Sequence, residues 1–328
     1  MIIKKVFYVI FMILIVIILY SQYTFLNIYI SIIIPIFNDE NYLSLCLNSV
    51  ISQSLKNIEI LCIDDGSTDN SLKILKTYQK IDKRIIIVQQ KNQGSGKARN
   101  IGINMSKGKY IAFMDSDDKY PNTNILEFMY KNANKNNAFI CGGGMKPFII
   151  SNNIIKLLDY NNDIFHNNGF MNYSDYQDDF FYQRFIYNKN FIIKNRLYFP
   201  NYLRYQDPPF FIKAMGLAKK FYALTNTTYL KRANNKKIWN KRKIIDIFKG
   251  IKECLILSEK MNLSKLYCKT LNRLKEKTII QLAKKYIEKT ELILIISELL
   301  NNINLDIIKK ENQTFSKNDF YKIFRIKI

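Results

Sequence analysis

The sequence predicts an α/β protein with a mostly parallel sheet that is covered by helices on both faces. A membrane helix is expected before this fold and a helical region after it. Three patterns predict this architecture. Short β-branched runs alternate with amphipathic segments after Tyr29, which is typical of parallel sheets. The first 28 residues are strongly apolar, and the chain from Lys231 onward reads as basic helices.

The composition excludes several classes of protein. The chain has 328 residues, of which 48% are apolar and 14% aromatic, so it folds despite a net charge of +23. Its five cysteines are scattered and contain no Cys-x-x-Cys spacing, which argues against a disulfide framework or a zinc site. A single histidine, His166, leaves almost no room for histidine-based catalysis. Any catalysis is therefore expected to depend on carboxylates.

The N-terminal segment, residues 1–28, predicts a transmembrane anchor. No charged side chain occurs between residues 6 and 38, and about 20 apolar residues suffice to span a bilayer. No cleavage site of small residues precedes Gln22, which argues against a removed signal peptide. Lys4 and Lys5 stand before the segment, and this charge bias favours export of the body that follows.

The next part of the chain predicts a repeated strand-helix pattern. Strands are expected at residues 30–37, 58–63, 84–88 and 110–114, with helices at 41–53, 71–81 and 96–105 between them. A further strand is expected at 222–230, and two or three helices from residue 238. Ligands of such sheets collect at the carboxyl ends of the strands, so the loops after the strands are the informative ones.

Three of these loops carry polar groups suited to a nucleotide. Pro35 to Glu40 ends the first strand, and Asp64-Asp65-Gly66 ends the second. Carboxylates at such positions accept hydrogen bonds from a base and from ribose hydroxyls, although the same residues also make ordinary turns. The third loop, from Asn92 to Asn100, places glycines and cations before a helix but lacks the spacing of a P-loop.

The fourth loop is the most acidic part of the chain. Asp115, Asp117 and Asp118 follow the fourth strand directly. Their mutual repulsion is unfavourable unless a cation neutralises it, and hard oxygen ligands suit Mg²⁺ or Mn²⁺ rather than zinc. The sequence therefore predicts a divalent metal that bridges a nucleoside diphosphate, with a solvated acidic turn as the alternative.

The order of these four loops resembles glycosyltransferase family 2, over about 90 residues. The resemblance implies a GT-A (Rossmann-like) fold and an inverting glycosyltransferase of the hexosyltransferase type that uses a nucleotide sugar. It implies that Asp115 and Asp117 form the Asp-x-Asp pair and bind Mg²⁺ or Mn²⁺. The residues expected to bind the nucleotide are Pro35, Phe37, Asp39, Glu40, Asp65, Asn92, Gly94, Arg99 and Asp115.

A later segment is similar to the acceptor-side motif of this family. Gln206-Asp207 stands where Glu-Asp is common, and the resemblance implies that Asp207 is the catalytic base. Phe37 replaces a common tyrosine but keeps the surface on which a base stacks. His166 does not match the late histidine or arginine of relatives, and Lys231 or Arg232 is a weak substitute.

The expected organisation has three parts. Residues 1–28 form the anchor, residues 29–232 the GT-A domain with a nucleotide-sugar half (29–120) and an acceptor half (121–232), and residues 233–328 a basic helical region. The last third carries +14 of the net charge of +23 and is expected to hold the domain against an anionic membrane. The Leu- and Ile-interleaved spacing of these basic residues argues against a nucleic-acid partner.

The expected reaction is transfer of a sugar, with a UDP-sugar as the default donor, to a hydroxyl of a glycan or lipid-linked saccharide. A cytoplasmic catalytic domain suits bacterial relatives that use cytosolic donors, whereas Lys4 and Lys5 favour a lumenal arrangement. Two alternatives stay open: an inactive, membrane-anchored sugar-binding scaffold and a nucleotidyltransferase. The presence of all four aspartates implied by the resemblance argues against the scaffold; they are Asp65, Asp115, Asp117 and Asp207. The first loop lacks a Gly-rich basic signature, which argues against the nucleotidyltransferase.

Overall fold

The computed structural model describes residues 10–12, 27–151, 154–158, 165–233, 239–286, 290–316 and 318. It has nine strands in this part of the chain. They are Ile30–Ile36 (β1), Ile58–Asp64 (β2), Ile85–Gln89 (β3), Tyr110–Phe113 (β4), Ile140–Ser151 (β5), Ile154–Leu157 (β6), Gly169–Asn172 (β7), Phe185–Asn188 (β8) and Lys220–Arg232 (β9).

Twelve α-helices accompany these strands in the described residues. They are Leu43–Ile51 (α1), Ser71–Ile81 (α2), Ser95–Met105 (α3), Ile125–Lys135 (α4), Tyr173–Tyr176 (α5), Lys189–Lys194 (α6), Asp207–Ala218 (α7), Lys241–Lys260 (α8), Ser264–Asn272 (α9), Lys277–Tyr286 (α10), Thr290–Asn301 (α11) and Leu305–Lys310 (α12). Short 3₁₀ turns occur at Tyr182–Arg184 and Arg273–Lys275.

One sheet organises the chain, with the strand order β3-β2-β1-β4-β8-β5-β9-β7 and with β6 paired to β5. The first four strands are parallel to one another. Beyond β4 the sheet is mixed, because β8 runs antiparallel to both of its neighbours while β5 and β9 pair in parallel. The predicted α/β fold is confirmed, and the expectation of parallel strands holds best in the half of the sheet that precedes residue 120.

The predicted elements of this half agree closely with the observed ones. All seven residues of β1 are buried, which explains why this strand reads as a nearly continuous apolar run, with Ser31 as its one polar side chain. Ile32 and Ile34 join the core on one face of the sheet, and Ile33 joins the core on the other face. The sheet is thus covered on both sides, as the alternation of strands and helices predicts.

The C-terminal third differs from the expectation of two or three helices. The described residues after Trp239 contain five α-helices, α8 to α12, and these share a third apolar core. The expectation was too low because short helices, such as the six-residue α12, carry too few turns to show a clear apolar period. The five helices therefore pack around an apolar core that their own side chains form.

The predicted membrane anchor falls mostly outside the described residues, which include only residues 10–12 and 27–28 of it. No helix within the described part of the chain combines the length and the apolar character needed to cross a bilayer.

Gly142 in β5 tests the tight contact between β5 and β8. A Cβ atom at this position would lie 2.3 Å from the backbone oxygen of Arg184, which also accepts a hydrogen bond from Oγ1 of Thr228 at 2.7 Å. We expect Gly142→Ala to lower the free energy of unfolding by about 1–3 kcal/mol, measured by urea denaturation. Gly169→Ala is the matched control, because a Cβ atom there meets no atom within 4 Å, and its effect is expected to stay within about 0.5 kcal/mol. Equal losses for the two variants would contradict this packing.

Candidate active site

A cleft of about 190 Å³ opens at the carboxyl ends of β1, β2 and β4. Its position follows from the parallel order of these strands, which brings their three following loops to one edge of the sheet. The cleft is lined by Pro35, Ile36, Phe37, Asp39, Asp65, Ser95, Arg99, Asp115, Ser116 and Asp117. Six of the residues predicted to bind a nucleotide, together with Asp117, are therefore brought together.

Arg99 is the central cation of the cleft. It extends from α3, is only 4% exposed, and donates from Nη2 to Oδ1 of Asp115 at 2.7 Å. The other oxygen of Asp115 accepts from Nε2 of Gln183 at 2.8 Å and lies 3.9 Å from Nζ of Lys231. Burial alone would raise the pKa of Asp115. The nearby charges of Arg99 and Lys231 outweigh this effect and lower the pKa below its ordinary value. Asp115 is thus held as a carboxylate by protein groups.

Asp207 lies near the other terminal nitrogen of the same guanidinium group. It is the first residue of α7, a position that Pro208 and Pro209 favour as the start of a helix. Its Oδ1 lies 3.6 Å from Nη1 of Arg99. Burial raises the pKa of Asp207 above its ordinary value, and Arg99 opposes the rise. A partly buried carboxylate with a raised pKa is suited to accept a proton.

The neighbouring Gln206 is buried and joins α7 to α3. Its Nε2 donates to Oγ of Ser95 at 3.0 Å, and Nη1 of Arg99 donates to the same hydroxyl at 3.2 Å. The amide nitrogen of Gln206 thus donates a hydrogen bond to Ser95, whereas a glutamate carboxylate at this position could only accept one. This contact ties the start of α7 to the cleft.

The acidic loop is neutralised by the protein itself. Asp118 turns away from the cleft, is 1% exposed, and accepts from Oη of Tyr229 at 2.7 Å and from the backbone nitrogen of Arg232 at 2.6 Å. Burial raises the pKa of Asp118 to about 8. Because Asp115 is already paired with Arg99, the mutual repulsion predicted from sequence does not by itself require a metal ion.

The acidic loop retains a donor set that fits Mg²⁺ or Mn²⁺. Asp117 lines the cleft beside Asp115, and these hard cations are often held by one or two carboxylates together with the phosphates of a substrate. The described residues contain no cluster of three or more side chains of the kinds that ligate metals. A metal at this loop would therefore depend on Asp117, with Asp115 as the second carboxylate, and on oxygens from a bound diphosphate.

The first loop contributes an apolar ring and a partly buried acid. The ring of Phe37 is 45% exposed at the mouth of the cleft. Asp39 accepts a short hydrogen bond from Oγ of Ser116, and burial raises its pKa. Glu40 instead accepts from the backbone nitrogen of Asn70 at 2.9 Å, which ties the first loop to the start of α2. Among these residues, Phe37 and Asp39 face the cleft and Glu40 stabilises its wall.

Asp65 holds the third loop in place. Its Oδ1 accepts from Nε2 of Gln90 at 2.5 Å and from the backbone nitrogen of Gln93 at 2.8 Å, and its Oδ2 accepts from the backbone nitrogen of Gly94 at 2.8 Å. Gly94 adopts a φ of +94°, which favours glycine. Asn92 and Gly94 do not line the cleft, so their expected contacts with a nucleotide stay predictions.

Sequence reasoning missed several residues of this site. Gln183 contacts Asp115 from a 3₁₀ turn, and no motif surrounds it. Ser95, Ser116 and Tyr229 are also polar partners of the predicted residues. Lys231 was a weak candidate, and the structure brings it to the cleft because Leu230 pairs with Lys119 after the acidic loop. His166 lies in the described chain just before β7, among the residues around a separate cleft.

Comparisons with known proteins identify the family to which the chain is similar. Residues 31–201 match the family described as "Glycosyl transferase family 2". The chain is 29% identical over 264 residues to Glycosyltransferase GlyG of Streptococcus pneumoniae serotype 4, which covers 75% of this chain and 87% of that protein. It is 43% identical over 119 residues to Glycosyltransferase GlyA of the same organism, but this match spans 36% of the chain and only 17% of GlyA.

The fold is similar to that of a solved structure, S. aureus TarS residues 1–349 in complex with UDP-GlcNAc. The TM-score is 0.70 over 90% of each chain, at 17% sequence identity. The same part of TarS in complex with UDP gives a TM-score of 0.68. The likeness supports the GT-A-like arrangement of the sheet.

Asp65→Asn tests the role of Asp65 in the third loop. An amide nitrogen in either orientation would face a backbone N–H group of this loop, so at least one buried hydrogen bond is lost. We expect the free energy of unfolding to fall by about 1–3 kcal/mol in urea denaturation. The matched control is Asp175→Asn, an exposed aspartate of α5, with an effect expected within about 0.5 kcal/mol. An Asp65→Asn variant as stable as this control would argue against the role.

Proposed function

Because this chain belongs to glycosyl transferase family 2, we propose that it transfers a sugar from a nucleoside-diphosphate sugar to a hydroxyl group in a single inverting displacement. The expected donor is a UDP-sugar. The expected acceptor is a glycan or a lipid-linked saccharide. The observation that carries the proposal is the approach of Asp207, from more than ninety residues downstream, to the buried Arg99 that also pairs with Asp115 in the cleft.

The donor side of the proposal rests on the cleft at the ends of β1, β2 and β4. The exposed ring of Phe37 offers a stacking surface for a nucleobase, and Asp39 offers a carboxylate next to it. A diphosphate in this cleft would lie near Lys231 and the start of α3, both of which favour negative charge. The UDP-GlcNAc and UDP complexes of TarS support a uridine nucleotide as the first donor to test.

The proposed metal is Mg²⁺ or Mn²⁺, held by Asp117 and Asp115. When bound, such an ion stabilises the charge that develops on a departing diphosphate. Lys231 would also stabilise the charge of the departing diphosphate. Its burial lowers its pKa, but Asp118 and Asp115 raise the pKa above its ordinary value and so keep the lysine cationic. The negative charge of the leaving diphosphate would then be balanced by both the ion and Lys231.

The proposed base is Asp207. It accepts the proton of the acceptor hydroxyl while the hydroxyl oxygen attacks the anomeric carbon and the bond from that carbon to the diphosphate oxygen breaks. The nucleoside diphosphate leaves on the opposite face, so the configuration of the sugar is inverted. Arg99 is buried, lies 3.6 Å from Oδ1 of Asp207 and opposes the rise in the pKa of this carboxyl group.

Attachment to a membrane is part of the proposal. It rests on the apolar segment in residues 1–28 and on the basic character of residues 233–328, which together suit an enzyme that modifies a surface glycan or a lipid-linked saccharide. A cytoplasmic catalytic domain is the proposed arrangement, since it gives access to cytosolic nucleotide sugars.

Donor binding by calorimetry tests the proposed function directly. We expect the full chain to bind one of UDP-, GDP- and dTDP-sugars in the presence of Mn²⁺, and to bind it at least tenfold more weakly without the metal or as Asp117→Ala. Asp207→Asn is the matched control, because it should bind the donor normally and release its nucleoside diphosphate at least 100-fold more slowly. A folded protein that binds none of these donors would instead support the scaffold alternative, and turnover of a nucleoside triphosphate would support the nucleotidyltransferase.

The pH dependence of turnover tests Asp207 as the base. Burial raises the pKa of Asp207 above the ordinary aspartate value of 3.8, and the protonated form cannot accept a proton. We therefore expect kcat/KM to fall about tenfold per pH unit on the acid side, with a midpoint above the pKa of an exposed aspartate. Circular dichroism at each pH controls for unfolding. A rate that stays constant down to pH 3.8 in folded protein would contradict this assignment.

A further inference from the structure

The C-terminal helices contact the turn that presents Asp207. Tyr205, two residues before Asp207, packs against the core of the sheet and also against the core of α8 to α12. Its hydroxyl accepts from Nη1 of Arg273 at 2.6 Å. Arg273 lies in the 3₁₀ turn after α9, outside the region that matches the family. The two parts of the chain therefore meet beside the proposed base.

Arg273 is anchored from the sheet side by a buried carboxylate. Asp179 is fully buried, and both of its oxygens accept from the guanidinium group of Arg273, from Nη2 at 2.6 Å and from Nη1. The guanidinium group also lies over the ring of Phe180, 4.4 Å from its centre. Arg273 is paired with Asp179, donates to Tyr205 and is only 7% exposed. Its position is therefore well defined.

The backbone at Tyr205 needs such support. Its φ is +68°, a left-handed conformation that is unfavourable for a bulky side chain. Strained residues of this kind persist only where the surroundings hold them, and they cluster at functional sites. Gly250 of α8 forms one wall, since a Cβ atom there would lie 2.9 Å from the backbone oxygen of Tyr205. Asp246, also on α8, accepts from the backbone nitrogen of Leu203 at 2.7 Å.

We propose that the C-terminal helices set the direction of the Asp207 carboxylate by holding the strained turn at Tyr205, with Arg273 and Tyr205 as positioning residues. Neither residue reaches the reacting atoms; both act through the backbone that leads into α7. This inference rests on the proposed function for the role of Asp207, but the holding of the turn itself is independent of any substrate.

Tyr205→Phe tests the proposal with little risk to folding, because it keeps the ring and leaves the pair of Arg273 and Asp179 intact. Tyr267→Phe is the matched control. Its hydroxyl accepts from the backbone nitrogen of Asn304 at 2.9 Å, entirely within the C-terminal helices. Each variant thus loses one hydrogen bond to a tyrosine hydroxyl, and only one of them touches the turn before Asp207.

The first measurement is hydrogen–deuterium exchange in peptides that cover residues 199–212. We expect exchange there to be about fivefold faster in Tyr205→Phe than in the unaltered protein, and unchanged in Tyr267→Phe. Equal exchange in the two variants would overturn the proposal. This measurement needs no substrate, so it gives an answer even if the proposed function is wrong.

The second measurement is steady-state release of UDP from UDP-N-acetylglucosamine, or from the best donor of the calorimetric panel. We expect Tyr205→Phe to lower kcat about tenfold and to change the KM for the donor less than about twofold. In the Asp207→Asn background the same substitution should have no further effect. If Asp207→Asn is fully active, the proposed base is wrong; if it is inactive while Tyr205→Phe matches Tyr267→Phe, only the present inference fails.

Discussion

The arrangement of the site depends on one buried cation, the guanidinium group of Arg99. It contacts carboxylates from two distant parts of the chain, Asp115 after β4 and Asp207 at the start of α7. The centres of the Tyr182 and Phe199 rings lie 5.4 Å and 5.3 Å from Cζ of Arg99, so two aromatic side chains cover the guanidinium group. Removing one partner of a buried pair typically costs about 3–5 kcal/mol, because the other charge is left unpaired. Both halves of the site are therefore tied to the same group.

This constraint explains the division of labour among the aspartates. Asp115 is held as a carboxylate by Arg99 and Lys231, while Asp118 is turned into the protein and has a raised pKa. Asp207 has fewer partners and a raised pKa of its own. Carboxylates of one chemical type thus acquire different proton affinities from their surroundings, which suits the different roles proposed for Asp115 and Asp207.

Much of the donor side of the site could be predicted from sequence, because its information is local. Phe37, Asp65 and Asp115 stand just after strands with clear apolar runs, and parallel strands bring the loops that follow them to one edge of the sheet. Gln183 could not be predicted in this way, since it reaches Asp115 from a 3₁₀ turn that has neither periodicity nor motif. The five C-terminal helices were undercounted because the shortest of them, such as the six-residue α12, are too short to show a clear apolar period.

The contact between Arg273 and Tyr205 has a consequence for the order in which the protein is made. Every residue that lines the cleft precedes Arg273 in the chain by more than 150 positions. During synthesis the sheet can form as β9 emerges, but the turn at Tyr205 acquires its partner only after some forty more residues have left the ribosome. Until then the left-handed backbone at Tyr205 lacks its hydrogen bond from Arg273, so we expect the turn before Asp207 to reach its final conformation late in synthesis.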